Sequence, residues 1–72
     1  MRYLERVRIL QRLDDLIRRK ATGRPIECAN RLDVSRATFF RLLDELKAID
    51  APICYCRSRE SYFYKENFVF AV

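Results

Sequence analysis

Arg36, Arg41, Arg57 and Arg59 are the residues of this 72-residue chain best suited to a defined chemistry. A guanidinium is planar and permanently charged, and its fork of donors matches a phosphate or the edge of a guanine. Ser35, Ala37, Thr38 and Phe40 are interleaved with the first two. A hydroxyl can hold a phosphate oxygen, and a small methyl can meet the methyl of thymine. The fifteen cations of the chain are twelve Arg and three Lys, and the net charge of +5 calls for an anionic partner.

Other chemistries find little support. The chain has no histidine, which removes the commonest general base and half of most nucleophilic dyads. No glycine-rich phosphate loop is present, and a domain this small has little room for a deep pocket. Neither catalysis nor a small-molecule substrate is expected, and no cofactor is implied. Cys28, Cys54 and Cys56 are odd in number and lack the fourth ligand of a zinc site, so they read chiefly as small packing residues. On a strand, Cys54 and Cys56 would share a face, which leaves vicinal redox chemistry or a shared intermolecular metal as the sharper reading.

Three helices and a hairpin must position these groups. Tyr3, Val7, Leu10, Leu13, Leu16 and Ile17 recur at spacings of three and four, which predicts an amphipathic helix from about Tyr3 to Lys20. Ile9 widens its apolar face beyond what one packing partner needs. Gly23 is expected to close this helix. Pro25 suits the first turn of a short second helix ending near Leu32, with Ile26, Ala29 and Leu32 facing inward and Cys28 flanking them. Asp33-Val34-Ser35 form a tight turn, and Ser35 caps a third helix from about Arg36 to Ile49. Phe39, Leu42, Leu43, Leu46 and Ile49 mark its buried face.

Ile53-Cys54-Tyr55-Cys56 and Ser61-Tyr62-Phe63-Tyr64 read as two strands joined by the polar turn Arg57-Ser58-Arg59-Glu60. Alternation puts Ile53 with Tyr55, and Tyr62 with Tyr64, on common faces. These aromatics are ordinary sheet packing material in preference to a base-stacking platform. Phe68-Val69-Phe70 is a candidate for a third short strand. The expected fold class is α+β: a winged helix-turn-helix of three helices and a β-hairpin wing, forming a single domain over 1–72.

In the middle lies the helix-turn-helix pattern itself. Ala29 is the small residue where the helices cross, Asp33 takes the turn, and Leu32 and Val34 bracket it. This geometry projects the start of the third helix outward, where it can enter a major groove.

The stretch from Ala29 to Leu46, ANRLDVSRATFFRLLDEL, resembles the DNA-binding domain of DeoR-type and WYL-associated transcriptional regulators. Ala51-Pro52-Ile53-Cys54-Tyr55, then Arg57 and Ser61-Tyr62-Phe63-Tyr64, resemble the wing of those domains. The resemblance runs from about Leu4 to Tyr64, and the whole chain also looks like short stand-alone helix-turn-helix proteins. It implies that Ser35 caps the recognition helix, that Arg36 and Ala37 face base edges, and that Thr38 and Arg41 hold phosphates. It places Phe40 near the DNA backbone. Those regulators usually have glycine where this chain has Asp33 and Asp50, and often an aromatic where it has Phe40, which lacks a tyrosine hydroxyl.

The functional expectation is sequence-specific binding of double-stranded DNA, with Arg57 and Arg59 of the wing reaching the backbone or a minor groove. A homodimer through helix one or the C-terminal strand would extend the footprint. The competing reading is a protein–protein interaction module on the same scaffold. No run reaches the ~18 apolar residues of a membrane span, and the charged start lacks a signal core, so the expected location is the cytoplasm, at the nucleoid.

Overall fold

Three helices form the first two thirds of the chain: α1 (Tyr3–Arg18), α2 (Pro25–Arg31) and α3 (Arg36–Ala48). Two strands follow, β1 (Ile53–Cys56) and β2 (Ser61–Tyr64). The computed structural model describes residues 2–70, so the ends of the domain expected over 1–72 lie outside the described residues. The architecture is α+β, three helices followed by a two-stranded antiparallel hairpin, an arrangement of winged helix-turn-helix type.

All three helices stop in the same way, and none uses the single glycine. After α1, the N–H of Ala21 donates to the Leu16 carbonyl at 2.9 Å and that of Lys20 to Ile17 at 3.1 Å. After α2, Val34 donates to Ala29 at 3.0 Å and Asp33 to Asn30 at 3.1 Å. After α3, Ala51 donates to Leu46 and Asp50 to Lys47, each at 3.0 Å. Each is a Schellman closure, whose pivot residue must be left-handed. Lys20, Asp33 and Asp50 accordingly have φ of 55°, 57° and 66°. Gly23 does not close α1 as expected, because Lys20 already does. Gly23 is left-handed (φ 74°) three residues later, where a Cβ would come within 3.1 Å of the Glu27 Cβ.

The helix starts differ in chemistry. Ser35 accepts the N–H of Thr38 at 3.1 Å, the expected cap of α3. At α2, Arg24 cannot accept with its side chain, and Glu27 instead reaches back to the Arg24 N–H at 3.0 Å.

The core is built from Leu13 and Ile17 of α1, Cys28, Ala29 and Leu32 around α2, and Phe39, Leu42, Leu43 and Leu46 of α3. Three expected inward residues are exposed instead. Ile26 is 47% exposed and its place is taken by Cys28; Ile49 is 51% exposed because the helix has already ended at Ala48. Tyr3, a turn and more beyond the packed part of α1, is also exposed.

The hairpin pairs Ile53 with Tyr64, Cys54 with Phe63, Tyr55 with Tyr62 and Cys56 with Ser61. Ile53, Tyr62 and Tyr64 thereby meet the helices, while Cys54, Cys56 and Phe63 alternate to the outer face. The turn is closed by the Glu60 N–H donating to the Arg57 carbonyl at 3.3 Å, with Glu60 left-handed at φ 51°.

Residues 68–70 do not form the third strand. The free edge of β2 is occupied: its Tyr62 N–H donates to the hydroxyl of Thr22 at 2.9 Å. Phe68 is held elsewhere, its ring 5.0 Å from that of Tyr64 and its carbonyl accepting from Arg18. Arg18 also pairs with Asp14 at 2.9 Å and lies 5.4 Å from the centre of the Tyr64 ring, and the Tyr64 hydroxyl donates to Asp14 at 2.6 Å. The tail is therefore fastened to α1 by a polar cluster in place of a ladder.

Candidate nucleic-acid interface

Helix α3 has two unlike faces. Phe39, Leu42, Leu43 and Leu46 are buried; Arg36, Ala37, Phe40 and Arg41 are exposed. The division follows from the 3.6-residue period, and it leaves both arginines of the helix start in solvent. Among the described residues, neither Arg36 nor Arg41 makes an ion pair. The first turn of α3 contains no acidic residue, so the positive end of the helix dipole adds to Arg36.

Ser35 and Thr38 are engaged with each other. The Ser35 hydroxyl donates to Thr38 Oγ1 at 3.0 Å while accepting the Thr38 N–H. A hydroxyl both donates and accepts. With its oxygen already accepting from Ser35, the Thr38 O–H keeps its own proton for a further acceptor. Thr38 is half-buried, so only that edge of it is offered.

Arg57 and Arg59 are exposed in the hairpin turn, without ion pairs among the described residues. Two acids of these elements, Glu60 in the turn and Glu45 on α3, are paired with cations from elsewhere. Arg24 pairs with Glu60 at 3.0 Å and holds its carboxyl below the usual range, first through the hydrogen bond and then through charge. Arg6 forms a two-pronged contact with Glu45, tying the start of α1 to the end of α3. Asp33, Asp44 and Asp50 stay exposed and unpaired among the described residues.

An aromatic row joins helix and hairpin. Phe40 meets Phe39 at a ring separation of 5.2 Å, Phe39 meets Tyr62 at 5.8 Å, and Tyr62 meets Tyr55 at 4.9 Å, all tilted edge to face. The two ends of this row, Phe40 and Tyr55, are 39% and 37% exposed. The row holds the exposed start of α3 beside β1, and it brings Tyr55 to the surface where alternation alone puts it in the packed face. Nothing in the sequence marks Tyr55 as exposed, because that depends on where the sheet extends past the helix.

Among the described residues, no three His, Cys, Asp or Glu converge to hold a metal ion. Likewise, no described helix is long and apolar enough to cross a membrane. Compared with protein-family models, curated proteins and solved structures, the chain matches none.

Proposed function

We propose that this chain is a small, sequence-specific double-stranded DNA-binding protein that regulates transcription, with residues 1–72 acting as one domain. The observation that carries the reading is the exposed, unpaired start of α3, where Arg36, Ala37 and Arg41 project from a helix whose other face is buried. Helix α3 enters the major groove, with Arg36 and Ala37 at base edges. Ser35, Thr38, Phe40 and Arg41 line the backbone on either side. Arg57 and Arg59 reach the adjacent phosphates or minor groove from the wing.

The resemblance of Ala29–Leu46 and of the hairpin to DeoR-type and WYL-associated regulators supports the same assignment. Such a protein acts in the cytoplasm, at the nucleoid. A single module of this kind buries only about 600–1,000 Å² on DNA, which favours a homodimer. Helix α1 is the better dimer surface, because Tyr3 and Leu4 are exposed on it and residues 68–70 offer no strand.

Selection of bound sequences from a random duplex library tests the reading. Enrichment of a defined site, lost on Arg36→Ala, supports it. Recovery of no consensus, with binding indifferent to salt, overturns it. The exposed Tyr3, Leu4 and Ile49 favour one second reading, a protein-interaction module, which predicts partners retained after nuclease and high salt.

A further inference from the structure

The outer face of the hairpin carries a feature that shares only Arg59 with the proposed DNA contacts. Cys56, Ser61 and Phe63 line a small open pocket of about 90 Å³, and Lys20 and Arg59 complete its wall. Lys20 arrives from the end of α1, where the Schellman closure fixes its backbone at φ 55°. Arg59 arrives from the hairpin turn. Neither cation makes an ion pair among the described residues. A sulfur nucleophile, an aromatic wall and two free cations therefore surround one opening.

The other two thiols provide an internal contrast. Cys28 is completely buried in the core. Cys54 shares the outer face of β1 with Cys56 but is not part of the pocket wall. The Cys56 sulfur lies 3.2 Å from the Ser58 hydroxyl. That hydrogen bond, then the backbone N–H of Arg59, favours the thiolate of Cys56, whereas burial pushes the Cys28 thiol up to about 11. Thiolates are the attacking species in disulfide exchange.

The geometry points to Cys56 as a covalent modification site for anionic, low-molecular-weight disulfides, with Lys20 and Arg59 holding the negative groups of the reagent. In the step, the Cys56 thiol gives its proton to solvent and its sulfur attacks one sulfur of the disulfide. A Cys56–sulfur bond forms, the original S–S bond breaks, and the other half leaves as a thiolate. The protein thiol is oxidised to a mixed disulfide and half of the reagent is reduced. Because the pocket is open, the rest of a larger ligand extends into solvent beside the turn. No part of this depends on the chain binding DNA.

The test compares an anionic reagent, dithiobis(nitrobenzoic acid), with neutral dithiodipyridine on the native full chain. Stopped-flow rates and peptide mass mapping locate the first thiol modified. Cys56 is expected first, in a fast phase that survives Cys54→Ser and is absent from Cys56→Ser. Lys20→Gln and Arg59→Gln are each expected to slow the anionic reagent by about 3- to 10-fold and the neutral one by less than about twofold. Added salt is expected to slow the anionic reagent in the same sense. Labelling of Cys54 first, a fast phase retained in Cys56→Ser, or equal responses to the two reagents would overturn the inference.

Discussion

Thr22 and Ser61 lie with their hydroxyl oxygens 3.1 Å apart, both wholly buried, and join the α1–α2 connection to the return strand of the hairpin. The Thr22 N–H donates to Ser61 Oγ at 3.1 Å, and the Tyr62 N–H donates to Thr22 Oγ1 at 2.9 Å. Thr22 thus does for one position what a third strand would do along the edge of β2. It hides a backbone donor from water and sets the hairpin against the helices.

Removing either hydroxyl leaves a backbone donor without its partner, buried at Thr22 and partly buried at Tyr62. Thr22→Val keeps the shape and strands the Tyr62 N–H; Ser61→Ala strands that of Thr22. Each is expected to cost about 1–3 kcal/mol in urea unfolding. The double variant is expected to cost less than the sum, by about 0.5–3 kcal/mol, because the two share one network. Additive losses would show that the hydroxyls act independently.

Three helix pivots are strained where glycine would not be. Left-handed backbone costs an L-residue roughly 1–2 kcal/mol, less for Asp, which bonds locally. Asp33→Gly and Asp50→Gly are each expected to stabilise the fold by about 0.5–1 kcal/mol, net of the freedom glycine adds to the unfolded chain. For a domain of this size that is a rise in melting temperature of about 2–8 °C each. A fall in melting temperature would mean that the Asp side chains make compensating bonds.

Much of this fold was legible in the chain, and the failures share a cause. The 3.6-residue period locates α1, α2 and α3, and alternation locates both strands, because periodicity is a local property. Ser35 is legible as a cap because its partner, Thr38, is three residues away. Thr22 and Ser61 are 39 residues apart, and neither carries a local pattern. Glycine favours left-handed backbone and so points to Gly23 as the helix end, yet Lys20 holds that position, with its own N–H on Ile17 and that of Ala21 on Leu16. Phe68-Val69-Phe70 has strand composition, but Phe68 is held by Arg18 and Tyr64, 50 and four residues away, which no local pattern announces. For the candidate interface, the exposure of Arg36 and Arg41 follows from the period, whereas the aromatic row from Phe40 to Tyr55 requires the packed hairpin.

Stability is expected to fall on the alkaline side through Cys28. Burial pushes its thiol up from 9.0 to about 11, with Arg31 opposing weakly. In the unfolded chain the thiol loses its proton first, so the native state binds more protons between those values. The stabilisation is complete below about pH 9 and is lost as pH rises towards about 11, with a slope approaching about 1.4 kcal/mol per pH unit. Tyr64, buried against the helices and donating to Asp14, is shifted in the same direction and extends the loss to higher pH. Cys28→Ala lowers stability throughout by opening a cavity, but it flattens this first limb. Urea midpoints measured from pH 7 to 11 in both proteins check it, and parallel curves would show that Cys28 is not the linked group.

The arginines of the proposed interface are expected to separate by kind. Arg36 at a base edge contributes sequence discrimination, so Arg36→Ala is expected to cost about 1–3 kcal/mol at the selected site and to relax the preference at one position. Arg57 and Arg59, acting on phosphates, contribute charge. Their alanine variants are expected to weaken all duplexes about equally and to reduce the slope of log K against log salt by about 1 each. Arg41 is placed with them as a backbone contact, although it projects from the same helix as Arg36. Anisotropy titrations at several salt concentrations, with specific and scrambled duplexes, measure both quantities at once. If Arg36→Ala changes only the salt slope while Arg57→Ala changes base preference, helix and wing have exchanged roles and the docking of α3 in the major groove is wrong.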